Sequence, residues 1–222
     1  MQQSTIFSDL SNTWWNEKGP YKALHWLTPL RMEYVCKMME LSSLTKVLDV
    51  GCGGGLMSIP IKRKGCKVWG VDETPGSLES AREKASLEGL EIEFYSNLQD
   101  LGEEKFDLIL LLEVLEHVAA PSDFLLELQK YLAPSGRIII STLNRTFMSY
   151  LLGIVVAEEV LKWAPRGIHR WSDFIEPSEL IMMLKKQGFK ICDLQGYEYS
   201  IFSQQWQFGK SLNINYFLTA QL

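Results

Sequence analysis

The stretch that most restricts this chain runs from Lys46 to Gly55, Lys-Val-Leu-Asp-Val-Gly-Cys-Gly-Gly-Gly. Val47 to Val50 read as a buried strand, and the spacing Asp49-x-Gly51-x-Gly53-x-Gly55 turns it sharply. Glycines accept positive φ and let the backbone approach a ligand closely. A second apolar strand, Lys67 to Val71, ends in Asp72, 21 residues beyond Gly51. A glycine turn followed by a carboxylate at the end of the next strand is the layout of a nucleoside site, the acid reaching the ribose hydroxyls.

The rest of the chain supplies a sheet for this site. Further strands are expected at Leu90 to Tyr95, Phe106 to Leu112 and Arg137 to Ser141, with Phe106 to Leu112 apolar on both faces as in a central parallel strand. Helices are expected at Leu56 to Lys64, Ser77 to Glu88 and Pro121 to Leu132, the last ended by Ala133-Pro-Ser-Gly136. Five strands alternating with helices imply right-handed crossovers and a parallel sheet. Ligands then sit at the carboxyl ends of the strands, where Asp49, Asp72, Leu112 and the run Glu113-Val-Leu-Glu116-His117 all fall. A helix from Pro177, capped by Gly188, precedes two closing strands, Phe189 to Leu194 and Asn213 to Gln221, and Tyr197 to Leu212 between them reads as a long aromatic loop.

Two segments stand outside this alternation. Residues 1–28 form an aromatic arm with Phe7, Trp14, Trp15, Tyr21 and Trp26, which reads either as a short helix and loop lying over a pocket or as plain core packing. Thr28-Pro29 is expected to start a helix, Thr as cap and Pro at the first helical position. Arg31 would then lie in the first turn, where a cation opposes the helix dipole. It is either a surface arginine or the partner of an outside anion such as a ligand carboxylate. Residues 143–171 form an insertion with an apolar run, Phe147 to Ala157, then Trp163, and Pro165-Arg-Gly-Ile-His169-Arg-Trp171.

Composition excludes some classes. A net charge of −5 gives the chain no general pull toward nucleic acid. The position after the fourth strand carries no Asn/Asp-Pro-Pro-Tyr box of the kind a nucleic-acid methylating enzyme would need. Cys36, Cys52, Cys66 and Cys192 form no Cys-x-x-Cys pair and read as reduced cytosolic thiols. The first residues have no basic flank and no long apolar core, so no signal or transit peptide is expected. No window reaches the roughly 20 apolar residues of a membrane span.

The glycine loop also narrows the ligand. A dinucleotide fold wants Gly-x-Gly-x-x-Gly, but counting from Gly51 the third glycine is Leu56. A P-loop is excluded because no Gly-Lys-Ser/Thr follows. A nucleoside with a charged tail remains, and the loop Asp49 to Gly55 resembles the first motif of the S-adenosylmethionine-dependent methyltransferases, with Asp72 matching their ribose-binding acid.

The likeness extends over nearly the whole chain. Trp14-Trp15, Leu24-His25, Pro29-x-Arg31, Leu48 to Gly55, Glu113-Val-Leu-Glu-His117, Ser141-Thr-Leu-Asn-Arg145 and Pro165-x-Gly-x-His169 resemble the O-methyltransferases of ubiquinone biosynthesis. The glycine loop and Leu115-Glu116-His117 are shared by many methyltransferases, whereas the Trp-Trp, Pro-x-Arg and Thr-Leu-Asn-Arg stretches are more specific. Thr28 and Ile168 depart from the family, which usually has Asn and Thr there.

The resemblance implies an α/β, Rossmann-like class I methyltransferase fold. It would be one domain over residues 1–222, with a seven-stranded, mostly parallel sheet, an antiparallel closing strand and helices on both faces. It places cofactor contacts on Arg31, Gly51, Asp72 and Leu112, and the loop adds Asp49 and Gly53. Glu113 and Glu116 are spaced i, i+3 and Glu113 and His117 i, i+4, so on a helical turn they would share a face; in eukaryotic relatives the matching residues are assigned to a divalent metal, so Mg²⁺ is a candidate second cofactor. The other reading of these residues is a helix cap, with Glu113 bonded to the cofactor amino group. Glu113, His117 and His169 are the candidate catalytic residues, because a phenol of pKa near 10 needs help to ionise at neutral pH.

The implied substrate is a polyprenyl phenol or quinol, and other ubiquinone-biosynthesis enzymes are implied partners. An acceptor with a membrane-embedded tail places a cytoplasmic enzyme peripherally at the inner membrane face, in contact with surface lipids. The insertion fits this, since about 10 apolar residues cannot span but can lie in the interface; it fits a buried lid equally. Two rival functions are a methyltransferase for another small phenol or acid, and a catalytically silent cofactor-binding subunit.

Overall fold

The computed structural model describes residues 13–151, 170–200 and 202–222. Eight strands form its sheet: β1 Lys46–Val50, β2 Lys67–Val71, β3 Glu93–Tyr95, β4 Phe106–Leu112, β5 Leu132–Leu143, β6 Lys190–Ser200, β7 Gln205–Gly209 and β8 Asn215–Gln221. Their order is β3-β2-β1-β4-β5-β8-β6-β7. The first five are mutually parallel, β8 is antiparallel to β5 and β6, and β7 is antiparallel to β6. Each of the parallel strands ends on the same edge, which therefore collects Asp49, Asp72, Glu113 and Asn144.

The helices are α1 Lys22–Met38, α2 Ser58–Arg63, α3 Pro75–Leu87, α4 Pro121–Gln129 and α5 Pro177–Lys186. Alternate residues of the central strands point to opposite cores, as a pleat requires. Leu48, Val50, Ile109, Leu111, Ile138 and Ile140 pack with α4 and α5. Val47, Leu108, Leu110, Leu112 and Ile139 pack with α1 and α2. In β4 only Asp107 is not fully buried, which accounts for its continuous apolar run.

Two expectations are corrected here. The sheet has eight strands rather than seven, because the aromatic stretch after Leu194 is a hairpin and not a loop. Tyr197 pairs with Phe208 and Tyr199 with Trp206. Its aromatics pack on neighbouring strands and helix: Tyr197 stacks on Phe217 at 4.3 Å, and Phe208 lies 6.1 Å from Tyr34 of α1. Glycine and serine punctuation hid the alternation.

The second correction concerns α1, which starts at Lys22 and carries Pro29 inside it. Thr28 is no cap; its hydroxyl donates back to the Leu24 carbonyl at 2.9 Å. The buried stripe Leu27, Leu30, Arg31, Tyr34 and Val35 continues through the proline, so packing outweighs the helix-breaking cost. Arg31 therefore lies in the helix interior, away from the first turn.

Candidate active site

At the glycine loop the backbone does the positioning. Gly51, Gly53 and Gly55 all have positive φ, +69°, +52° and +83°. The Gly51 and Cys52 amides both donate to the Val71 carbonyl, tying the loop to β2. Asp72 accepts from the Gly53 amide and the Thr74 amide, each at 2.9 Å. Burial nonetheless pushes its carboxyl above the usual range, the backbone donors offsetting part of the effect. Asp49 is buried beneath the loop, where its carboxylate accepts from Ser58 of α2 at 2.6 Å. Desolvation lifts its pKa to about 6 against the pull of Ser58 and the Arg31 charge.

A Cβ on Gly53 or Gly54 would overlap the Trp14 ring, and one on Gly51 would overlap Val114. The glycines thus make room for side chains of this chain as well as for a ligand. Trp14 is buried and stacks on Tyr21 with ring centroids 3.7 Å apart. Its indole donates to Ser77 at 2.9 Å, and the Trp15 indole donates to the Gly54 carbonyl. His25 is hydrogen-bonded to the Trp14 carbonyl at 2.7 Å. The Tyr21 hydroxyl is buried without a partner, and burial together with the nearby Asp72 charge raises its pKa. Trp14 of the aromatic arm thus lies on the glycine loop with Tyr21 stacked on it, while Ser77, which anchors the Trp14 indole, carries no sequence signal. The Trp-Trp pair was a signal for an arm, but nothing local tied it to the loop.

The methionine-end candidates converge on Glu113, the first residue after β4, with φ +58°. Its amide donates to Ser141 of β5. Its Oε1 accepts from Ser141 Oγ and from the Tyr197 hydroxyl, both at 2.8 Å. Arg31 Nη2 lies 3.5 Å from the same oxygen. Arg31 is 5 % exposed, and its Nε and Nη2 have no hydrogen-bond partner. A buried guanidinium with open donors fits a ligand carboxylate, so these residues fit S-adenosylmethionine: Arg31 at its carboxylate and Asp72 at its ribose, with Leu112 ending β4 at the same edge.

The same positions do not fit a divalent ion. Glu113 leaves the helical region at its positive φ, and only Leu115–His117 form a 3₁₀ turn. Glu113 and His117 therefore do not share an α-helical face, which corrects the spacing argument. Glu116 turns inward to Thr142, whose hydroxyl donates to it at 2.9 Å. Burial and then the Glu113 charge push its carboxyl well above the usual range. Among the described residues no group of three or more His, Cys, Asp or Glu could hold a metal.

Of the remaining candidates, the His117 amide donates to Val114 at the carboxyl edge. His169 lies outside the described residues, as does most of the insertion. Its described ends are apolar and open to solvent: Phe147 is 76 % exposed, and Met148, Tyr150, Leu151 and Trp171 are also exposed. Thr146 caps the helical turn Phe147–Ser149, and Trp171 donates to the Thr146 carbonyl, joining the two ends. Among the described residues no helix is long and apolar enough to cross a membrane.

A family model described as a methyltransferase domain matches residues 15–194. The ubiquinone biosynthesis O-methyltransferase of Rickettsia canadensis is 36% identical over 219 residues, covering 96% of this chain and 92% of the relative. That of Nitrosococcus oceani is 39% identical, covering 95% and 90%. Among solved structures, a magnesium protoporphyrin IX methyltransferase from Synechocystis with bound S-adenosylhomocysteine superposes with a TM-score of 0.68. It is 21% identical, with 99% of each chain covered. A methyltransferase from Aquifex aeolicus gives 0.63 at 19% identity, covering 91% of this chain and 98% of that one. These likenesses show the fold.

Proposed function

The chain belongs to the ubiquinone biosynthesis O-methyltransferase family, and from that membership we propose that it methylates phenolic and catechol hydroxyls of polyprenylated ubiquinone precursors, at both O-methylation steps. The methyl donor is S-adenosylmethionine. The observation that carries the reading is Arg31, a buried guanidinium with two open nitrogens at the strand edge that also bears the glycine loop and Asp72.

The bound cofactor supplies an activated sulfonium methyl group. The chain's work is to orient, to exclude water and to move a proton. Arg31 would hold the carboxylate end, Asp72 the ribose hydroxyls, and Leu112 would lie beside the adenine. Asp49 and Gly51 to Gly55 shape the floor, Asp49 acting through Ser58 and α2. By fixing both ends these residues would align the bound cofactor with the acceptor, an alignment that contributes several kcal/mol, roughly 7–11 at the extreme. The phenol proton goes to an imidazole, His117 at the strand edge or His169 on the insertion. Glu113, which already accepts two hydroxyl donors on one oxygen, serves Arg31.

The acceptor's apolar tail calls for a peripheral position at the inner membrane face. The exposed Phe147, Met148, Tyr150 and Leu151 support contact of the insertion with surface lipid. The deciding experiment is methyl transfer from labelled cofactor to a demethylubiquinol and to a polyprenyl catechol, with and without chelator. Transfer to both, insensitive to chelator, is the expected result. Transfer to short soluble phenols alone would replace this substrate class. Flotation with liposomes should fail for a folded variant in which Phe147, Met148 and Leu151 are serine; undiminished flotation removes the lipid contact.

A further inference from the structure

Arg31 presents a physical puzzle. A guanidinium this buried is costly unless an opposite charge compensates it. The compensating carboxylate is Glu113, yet Oε1 stays 3.5 Å from Nη2, and neither Nε nor Nη2 has a hydrogen-bond partner. A glutamate beside an arginine would normally close into a short, two-pronged pair. What holds it off is visible on the other side of the carboxylate. Oε1 accepts two hydroxyl donors at 2.8 Å, Ser141 Oγ from β5 and the Tyr197 hydroxyl from β6.

Both donors are buried and packed. Ser141 is fully buried and its carbonyl accepts the Glu113 amide. Tyr197 is 2 % exposed, stacks on Phe217 at 4.3 Å and meets Trp206 edge-on at 5.8 Å. The Glu113 backbone is itself set at φ +58°.

We propose that Tyr197 is a positioning residue for the amino-acid end of the cofactor: with Ser141 it holds the Glu113 carboxylate back from Arg31, so that the arginine charge is balanced while its N–H donors stay open to the ligand carboxylate. This rests on the reading of Arg31 as the carboxylate-holding residue. Without the Tyr197 hydroxyl, Glu113 rotates onto the guanidinium, and an incoming carboxylate has to displace it. The nucleoside end, held at Asp72 and the glycine loop, is unaffected. The penalty therefore falls on ligands that carry the amino-acid end and spares those that lack it.

The test is calorimetric binding of S-adenosylhomocysteine and of 5′-methylthioadenosine, which has the same nucleoside and thioether but no amino-acid end. Tyr197→Phe keeps the ring packing and should weaken S-adenosylhomocysteine about tenfold, the scale of one hydrogen bond to a charged group, with methylthioadenosine unchanged. Ser141→Ala should act in the same direction and serves if Tyr197→Phe does not fold. Equal weakening of both ligands, or no weakening of either, overturns the proposal, because a merely structural tyrosine cannot distinguish them. Arg31→Met is the control for the underlying reading and should cost S-adenosylhomocysteine at least about a hundredfold while sparing methylthioadenosine. If Arg31→Met discriminates and Tyr197→Phe does not, the positioning role alone fails. If Arg31→Met does not discriminate, the carboxylate reading fails with it.

Discussion

At the nucleoside end of the site, the contacts are local and made by backbone: three positive-φ glycines, two amides on the Val71 carbonyl and two on Asp72, all within residues 51–74. At the methionine end, one carboxylate gathers Arg31 from α1, Ser141 from β5 and Tyr197 from β6, partners up to 84 residues from Glu113. The first arrangement depends on which residues can adopt a turn. The second depends on whether distant elements pack in the right register. The contrast teaches that a cofactor loop can be read as a motif, while the group that neutralises its ligand's charge has to be read as a network.

If that contrast is right, the largest effects should come from the network. Arg31→Met should cost S-adenosylhomocysteine binding roughly 3–5 kcal/mol, because it also strands Glu113 without its opposite charge. Calorimetry at fixed pH measures it; a loss under about 1 kcal/mol would mean that the arginine is not at the ligand.

Next is the aromatic arm, which joins the two regimes. Trp14→Ala removes a buried ring stacked on Tyr21 and lying on Gly53 and Gly54, and should destabilise the fold by about 3–5 kcal/mol in denaturant titration. A near-neutral result would show that the arm packs on the loop only loosely.

Asp49 tests the nucleoside floor through pH. Its folded pKa, about 6, lies above the ordinary 3.8. The folded state therefore holds this proton more tightly than the unfolded state. Its contribution is fully present below about pH 4 and is lost as pH rises through 6, a change of up to about 3 kcal/mol. Asp49→Asn should remove that part of the wild-type stability profile between pH 4 and 6. Parallel profiles would place the carboxyl in a wetter setting than its burial under Ser58 implies.

The smallest effect separates strain from crowding. Gly65→Ala puts a Cβ at φ +94° with nothing within 4 Å, so it carries conformational cost alone, about 1–2 kcal/mol. Gly53→Ala, at φ +52°, would add a clash of its Cβ with the Trp14 ring and should exceed it, with the excess vanishing in the Trp14→Ala background. Additive losses would deny the contact.

Much of the fold was legible because its signals are local. Strand periods, the Asp49-x-Gly51-x-Gly53-x-Gly55 spacing and Asp72 report on their own φ, ψ and burial, and the parallel sheet follows from their alternation. Three features were not legible. Pro29 looked like a helix start, yet the buried stripe from Leu27 to Val35 carries the helix through it. The stretch after Leu194 looked like a loop, yet pairing with β8 and packing on Phe217 and Tyr34 make it a hairpin. Glu113 and His117 looked like neighbours on a helix, yet the positive φ at Glu113 parts them.

The amino-acid sequence by itself determined the sheet's parallel half, the glycine turn and the acid that faces the nucleoside. Each needs only the conformational preferences of a short run of residues. Tertiary structure decided that Trp14 covers the turn, that Tyr197 reaches Glu113 and that Arg31 is buried with its donors open. Those outcomes depend on which surfaces meet once strands β5, β8 and β6 are in register, and long-range packing is not encoded in any one stretch of the chain.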